Sequence, residues 1–229
     1  PYGAGLFDHW MEAANYMVVE TNRGCPYGCT FCDWGGATLS KTRNFALARV
    51  FADIGYAGRH RIETVYVSDA NFGIFKRDVE IAEQLAAVHR RTGFPRFVSY
   101  NSAKTIRTEQ RQIVRTMKDA GLIANGLLSL QTTDAVTLDA IHRSNIKVSE
   151  YRKLIAYFRA EQIPGVSELM IGLPGQRLQT CRADLQFLFD HRIHARIFPT
   201  LLMPNAPMAD PAYRAQYAIE ADADGFVQA

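Results

Sequence analysis

Two apolar periods take turns along this chain of 229 residues. Short apolar runs, Tyr16–Glu20, Thr64–Val67, Arg96–Tyr100, Gly126–Gln131, Ser167–Ile171 and Arg196–Leu202, predict six strands. Between them apolar residues recur every three or four positions, the period of a half-buried helix. Asn44 is placed to cap a helix running to about Tyr56, with Leu47, Val50, Phe51 and Ile54 on one stripe. Further helices are expected from about Asp78 to a stop at Gly93, and from Glu109 to Asp119 with Gly121 just beyond. Another is capped by Ser149 and carries Leu154, Ile155 and Phe158, and the last runs from Leu178 to His191. Each strand–helix unit takes about 30 residues, the length of a βαβ repeat with a right-handed crossover. The expected fold class is therefore α/β, a partial (β/α)6 TIM-like barrel of parallel strands, since six units fall short of the eight that close a barrel.

Each predicted strand runs out into polar or glycine-rich sequence: Ser68-Asp69-Ala70-Asn71, Asn101-Ser102-Ala103-Lys104, Gly172-Leu173-Pro174-Gly175 and Met203-Pro204-Asn205. In parallel α/β folds these C-terminal strand ends gather on one face, where ligands bind. The stretch 1–15 has no clear period and reads as a linker or the end of an upstream domain, 16–205 as the core, and 206–229 as the start of a C-terminal extension. The absence of a Met before Pro1 suggests a piece of a longer protein, or a processed one.

Composition narrows the function classes. The net charge of +3, from 26 basic and 23 acidic residues, is too balanced to suggest a nucleic-acid partner or an acidic membrane surface. No apolar run is long enough to span a bilayer. Three of the four cysteines cluster as Cys25-x3-Cys29-x2-Cys32, punctuated by Gly24, Pro26 and Gly28. Such spacing looks nothing like a disulfide framework, so a reducing cytoplasm is expected. Three thiolates in a loop suit a soft metal or an iron–sulfur cluster. A structural zinc site needs four ligands. The only distant thiol, Cys181, falls at helical spacing with Leu178, Leu185 and Leu188 and is expected to be a buried, inert core residue. Three local cysteines therefore fit a four-iron cluster with one iron left open for a substrate or cofactor.

The cysteine loop, with an aromatic Phe31 before Cys32 and a place directly after the first predicted strand, resembles the radical S-adenosylmethionine (SAM) superfamily. The likeness extends over nearly the whole chain. The stretches Glu20–Trp34, Ser129-Leu130-Gln131, Gly172–Gly175 and Pro204-Asn205-Ala206 resemble the branch that carries an N-terminal cobalamin-binding domain, which would lie upstream of Pro1. The resemblance implies that Cys25, Cys29 and Cys32 ligate a [4Fe–4S] cluster, that SAM chelates the fourth iron, and that SAM cleavage yields a 5′-deoxyadenosyl radical. It implies that Phe31 packs near the adenine, or else shields the cluster. The family's second strand often ends in Gly-Gly-Glu. Here Ser68-Asp69-Ala70-Asn71 stands instead, with Asp69 and Asn71 near the SAM ammonium, or else capping a turn. It further implies that Ser129 and Gln131 touch the ribose and methionyl parts of SAM and face the lumen, that Ser99 and Asn101 also face the lumen, that Lys104 meets the carboxylate or else is a surface lysine, and that Asn205 lies in the adenine segment. Glu168 is a charge in an apolar strand and is expected to face a polar site. The implied reaction is cobalamin-dependent methyl transfer to an unactivated carbon, or a rearrangement, on a small molecule, with an electron donor such as flavodoxin or ferredoxin. The alternatives are a cobalamin-independent enzyme such as a methylthiotransferase-like RNA modifier, and a non-enzymatic iron–sulfur or zinc-binding protein.

Overall fold

The computed structural model describes residues 2–11, 14–34, 41–103, 108–122, 126–144 and 147–228. In chain order the elements are α1 (Asp8–Met11), β1 (Tyr16–Val19), β2 (Asn22–Arg23), β3 (Arg43–Asn44), α2 (Leu47–Arg59), β4 (Thr64–Phe72), α3 (Arg77–Thr92), β5 (Phe97–Ser102) and α4 (Thr108–Asp119). They continue with β6 (Gly126–Gln131), α5 (Ala135–Ala140), α6 (Val148–Ala160), β7 (Gly165–Ile171), α7 (Leu178–Asp190), β8 (His194–Pro199), α8 (Pro211–Gln216), β9 (Glu220–Ala221) and β10 (Val227–Gln228). All six expected strands are present, with α2, α3, α4, α6 and α7 in the expected order. The strands form two three-stranded sheets, β1-β4-β5 and β6-β7-β8. β1 pairs with β4, β4 with β5, and β7 with β8, all in parallel. By internal contacts the chain divides into two compact units, Pro1–Arg23 with Arg43–Gly126, and Gly24–Thr42 with Leu127–Ala229.

In the first unit one face of the sheet is covered by helices. Met17, Val19, Val65 and Val67 are buried beneath α2 and α3, which contribute Val50, Ile54, Ile81, Leu85 and Val88. The two helices approach closely at Gly58, where a Cβ would stand 2.5 Å from the Val88 side chain. α3 ends at Gly93 in the left-handed conformation, as its position in the sequence suggests. The first residues are packed in place: the Tyr2 hydroxyl donates to the Val18 carbonyl and the Tyr56 hydroxyl to Asp8 (2.6 Å). The expected linker is thus part of this unit.

Asn44 does not cap α2. It pairs with Asn22 in the short β2–β3 ladder, and the cap position falls to Ala46, whose side chain makes no capping bond. β4 runs past Val67 to Phe72, with an irregular register on the way, so the polar run Ser68–Asn71 lies inside a strand rather than after it.

Where β4 gives way to α3, Asp78 is fully buried. Its Oδ2 accepts from the backbone N–H groups of Gly73 (2.8 Å) and Phe75 (3.0 Å), while Oδ1 has no hydrogen-bond partner among the described residues. Burial pushes its pKa up to about 6, outweighing the two N–H bonds that lower it. The folded protein therefore holds this proton more tightly than the unfolded chain does. The resulting stability is complete below the ordinary value of 3.8 and is lost as pH rises through about 6. Denaturant titrations from acid to neutral pH should show wild type losing on the order of 2–3 kcal/mol more than Asp78→Asn. Parallel pH profiles for the two proteins would contradict this assignment.

The second unit has a core of Ile141, Leu173, Met208 and Ile219, with Phe31, Leu138, Met170, Leu202, Tyr213, Tyr217 and Val227 packed against it. Met208, Tyr213, Ile219 and Val227 of this core come from 206–229. α7 departs from the expected stripe. It buries Asp184 and Leu188, while Leu178 and Leu185 are exposed. Asp184 accepts from the Thr132 hydroxyl (2.7 Å) and from the backbone N–H and hydroxyl of Thr133, so α7 spends its inward face holding the turn after β6.

Candidate cofactor site

The cysteine loop is anchored through Thr30, in the second unit. Its N–H donates to the Ile141 carbonyl (3.0 Å), and its carbonyl accepts from the Met208 N–H (2.8 Å). Its hydroxyl pairs with that of Tyr213 (3.0 Å), which in turn donates to the Ala140 carbonyl (2.6 Å). Phe31, one residue on, packs into the Ile141–Met208 core. Three successive residues thus divide the work: Cys29 presents sulfur, Thr30 stakes the backbone, and Phe31 fills apolar space.

None of the three loop cysteines is in a disulfide; Cys25 and Cys29 are buried and Cys32 is half-buried. The Cys32 N–H donates to the Cys29 carbonyl (3.1 Å), closing a tight turn between them. The Trp34 N–H points at Cys32 Sγ (3.5 Å) and the Arg143 guanidinium at Cys29 Sγ (3.9 Å). Arg143 is itself buried and also donates to the Ser129 carbonyl. Hydrogen-bond donors aimed at sulfur suit an anionic cluster. Among the described residues no three His, Cys, Asp or Glu side chains converge as a single metal ion would require. A four-iron cluster binds each of three thiolates to a different iron, and donors toward the Cys29 and Cys32 sulfurs suit its negative charge. The residues present fit such a cluster.

In the same unit, Ser129, Gln131 and Glu168 are half-buried and occupy one face of the sheet, the Ser129 hydroxyl donating to Glu168 (3.3 Å). Gln131 closes β6 in the left-handed region, φ 62°, with its Oε1 buried and without a hydrogen-bond partner among the described residues. Asn205 lies exposed in the turn after β8. Cys181 is half-buried rather than core. Burial first, and the nearby Asp184 second, push its thiol pKa up, which keeps it protonated and unreactive.

In the first unit the structure gives Asp69 a different task from the one implied. It is fully buried, on the covered side of β4 with Asn71. Its carboxylate accepts from the backbone N–H groups of Thr21 (2.7 Å) and Asn22 (3.1 Å), from the Thr21 hydroxyl, and from the Asn22 amide (2.6 Å). Burial raises its pKa, and these donors oppose the rise. Both oxygens are committed to Thr21 and Asn22, one to their backbone and the other to their side chains, a clamp on the approach to the cysteine loop rather than an open charge for an ammonium group. Ser99 and Asn101 are on the opposite, more open face, where Asn101 donates to the Tyr66 hydroxyl (2.9 Å) and to the Asp69 carbonyl (3.2 Å). Lys104 lies outside the described residues.

The sequence profile of the Radical SAM superfamily matches residues 19–188, which take in the cysteine loop and strands β4–β7, and begin at the last residue of β1. The chain belongs to the radical SAM superfamily. Members of that family use a [4Fe–4S] cluster and SAM. The chain is 41% identical over 227 residues to the cobalamin-dependent radical SAM methyltransferase TokK of Streptomyces tokunonensis, covering 96% of this chain and 33% of TokK. It is 40% identical, with the same coverage, to the 2-(S-pantetheinyl)-carbapenam-3-carboxylate methyltransferase of Streptantibioticus cattleyicolor. The chain thus spans about a third of the length of these curated relatives. Its fold matches the radical SAM methyltransferase TsrM of Kitasatospora setae, a structure with cobalamin and a [4Fe–4S] cluster bound, at a TM-score of 0.71 and 15% identity over 87% of this chain and 39% of TsrM. Coproporphyrinogen III oxidase (HemN) of Escherichia coli follows at 0.60 and 13% identity, over 96% of this chain and 51% of HemN. Among the described residues no helix is long and apolar enough to cross a membrane.

Sequence reasoning missed Thr30 and Arg143. Thr30 gives no signal, since a threonine between two cysteines is unremarkable until its neighbours are known. Arg143 sits in His142-Arg143-Ser144, which reads as solvated surface.

Proposed function

We propose that this chain is the radical SAM core of a cobalamin-dependent methyltransferase acting on a small molecule. The observation that carries this reading is identity of 40% and 41% over nearly the whole chain to two relatives named as methyltransferases, one of them as cobalamin-dependent. In it, Cys25, Cys29 and Cys32 hold the [4Fe–4S] cluster, which supplies the electron for reductive SAM cleavage. Thr30 fixes the loop, and Phe31 shields it on its apolar side. Ser129, Gln131 and Glu168 supply hydroxyl, amide and carboxylate groups for the polar parts of SAM. Asn205 contributes from the turn after β8. Cobalamin is held by sequence outside this core. The electron comes from a low-potential carrier such as flavodoxin or ferredoxin, in the cytoplasm, where a reduced cluster persists.

The test uses the full-length protein, reconstituted anaerobically with iron, sulfide and cobalamin and given SAM labelled in its methyl group. The label is expected on cobalamin, and 5′-deoxyadenosine is expected to accumulate under reduction. A protein loaded with cluster and cobalamin that cleaves SAM but never methylates cobalamin would contradict methyl transfer.

A further inference from the structure

We infer that Arg143 is a positioning residue that sets the reduction potential of the cluster through Cys29, an inference that rests on the cluster assignment above. Arg143 follows α5 and is 5% exposed, although a free guanidinium is among the groups least willing to leave water. Its two terminal nitrogens reach different groups: Nη1 faces Cys29 Sγ at 3.9 Å, and Nη2 donates to the Ser129 carbonyl of β6. The second bond fixes the fork so that the first stays aimed at sulfur. Cys29 is 2% exposed, so little water screens the charge from the thiolate. The same charge reaches the buried Tyr151 phenol, whose pKa burial pushes up to about 12 and Arg143 pulls back.

The direction of the effect follows from charge. One-electron reduction makes the cluster and its thiolates more negative. A buried cation beside one thiolate stabilises the reduced form more than the oxidised form and raises the potential. Trp34 donates a neutral N–H to Cys32, whereas Arg143 brings a full positive charge to Cys29. Without it the cluster becomes harder to reduce, and electron delivery to SAM slows before any SAM contact is lost.

The test compares full-length, anaerobically reconstituted wild type with Arg143→Met, Arg143→Gln and Arg143→Lys. Iron and sulfide content is measured first. The cluster is then titrated electrochemically without SAM, which separates this role from any contact between Arg143 and SAM itself. Both neutral variants are expected to show a lower potential, with the ratio of reduced to oxidised cluster at fixed ambient potential down at least tenfold, equivalent to about 59 mV for one electron. The lysine variant should recover part of the shift. Neutral variants with full cluster content and an unmoved potential would overturn the inference while leaving the cluster assignment intact. If neither neutral variant holds a cluster, retention by the lysine variant alone supports the need for a cation, and loss in all three reduces Arg143 to a packing role and overturns it. Wild type that takes up no cluster would refute the cluster assignment instead.

Discussion

Cys29→Ala in the full-length protein is expected to abolish the cluster and, with it, all 5′-deoxyadenosine formation above background. Cys29 is the most buried of the three loop thiols, lies next to the Thr30 anchor, and has the Arg143 guanidinium beside it. Its removal takes a ligand from the cluster and leaves a buried cation facing a methyl group. Cys25→Ala and Cys32→Ala should lose the same activity through ligand loss alone. Cys181→Ala provides the contrast, since its thiol lies on α7 with its pKa raised by burial. It should keep full iron content and full SAM cleavage. Iron and sulfide analysis with product chromatography checks all four variants. Retention of an active cluster in Cys29→Ala, or its loss in Cys181→Ala, would show that the ligand set is wrong.

Asp69→Ala is expected to be the most destabilising change in the first unit, because it leaves four buried donors on Thr21 and Asn22 without their acceptor. A cost of about 3–5 kcal/mol follows from unmet buried groups of this kind. Asp69→Asn should cost less. An amide oxygen can still accept the two backbone N–H groups, but its NH2 would confront the Asn22 amide. The distinguishing result is the order of the two variants in chemical denaturation, together with poorer cluster loading in the alanine protein, because the clamped backbone runs directly into Cys25. If Asp69 instead served SAM from an open position, both variants would weaken SAM binding at nearly unchanged stability.

The strands were legible because short apolar runs between glycine- and proline-rich turns have few other interpretations. The cysteine loop was legible because three thiols at that spacing have few uses. What could not be read was which polar residues the fold would satisfy internally. Ser68-Asp69-Ala70-Asn71 looks like a strand end, since a carboxylate inside a strand is costly unless paired. Its partners, Thr21 and Asn22, are 47 and 48 residues away in sequence, and only the fold brings them to Asp69. The same blindness hid Asp184, whose threonine partners lie more than 50 residues upstream and which displaces Leu185 from the covered side of α7. Asn44 looked like a helix cap because local side-chain chemistry allows it, yet backbone pairing with Asn22 took precedence. Short elements such as α5 carry a weak period, although Asp134 does cap it by accepting from Thr137. Long-range polar pairing, more than secondary structure, is where local sequence stops informing.

The open iron is the feature on which the whole reading turns, and spectroscopy of the reduced cluster addresses it most directly. The full-length protein, reconstituted anaerobically and reduced, should give a paramagnetic [4Fe–4S] signal. Adding SAM should change its shape, because on the proposed assignment Cys25, Cys29 and Cys32 would leave one coordination position for it. A well-loaded cluster whose signal SAM leaves unchanged, or one that Cys181→Ala destroys, would mean that the fourth iron is already occupied and would contradict the assignment.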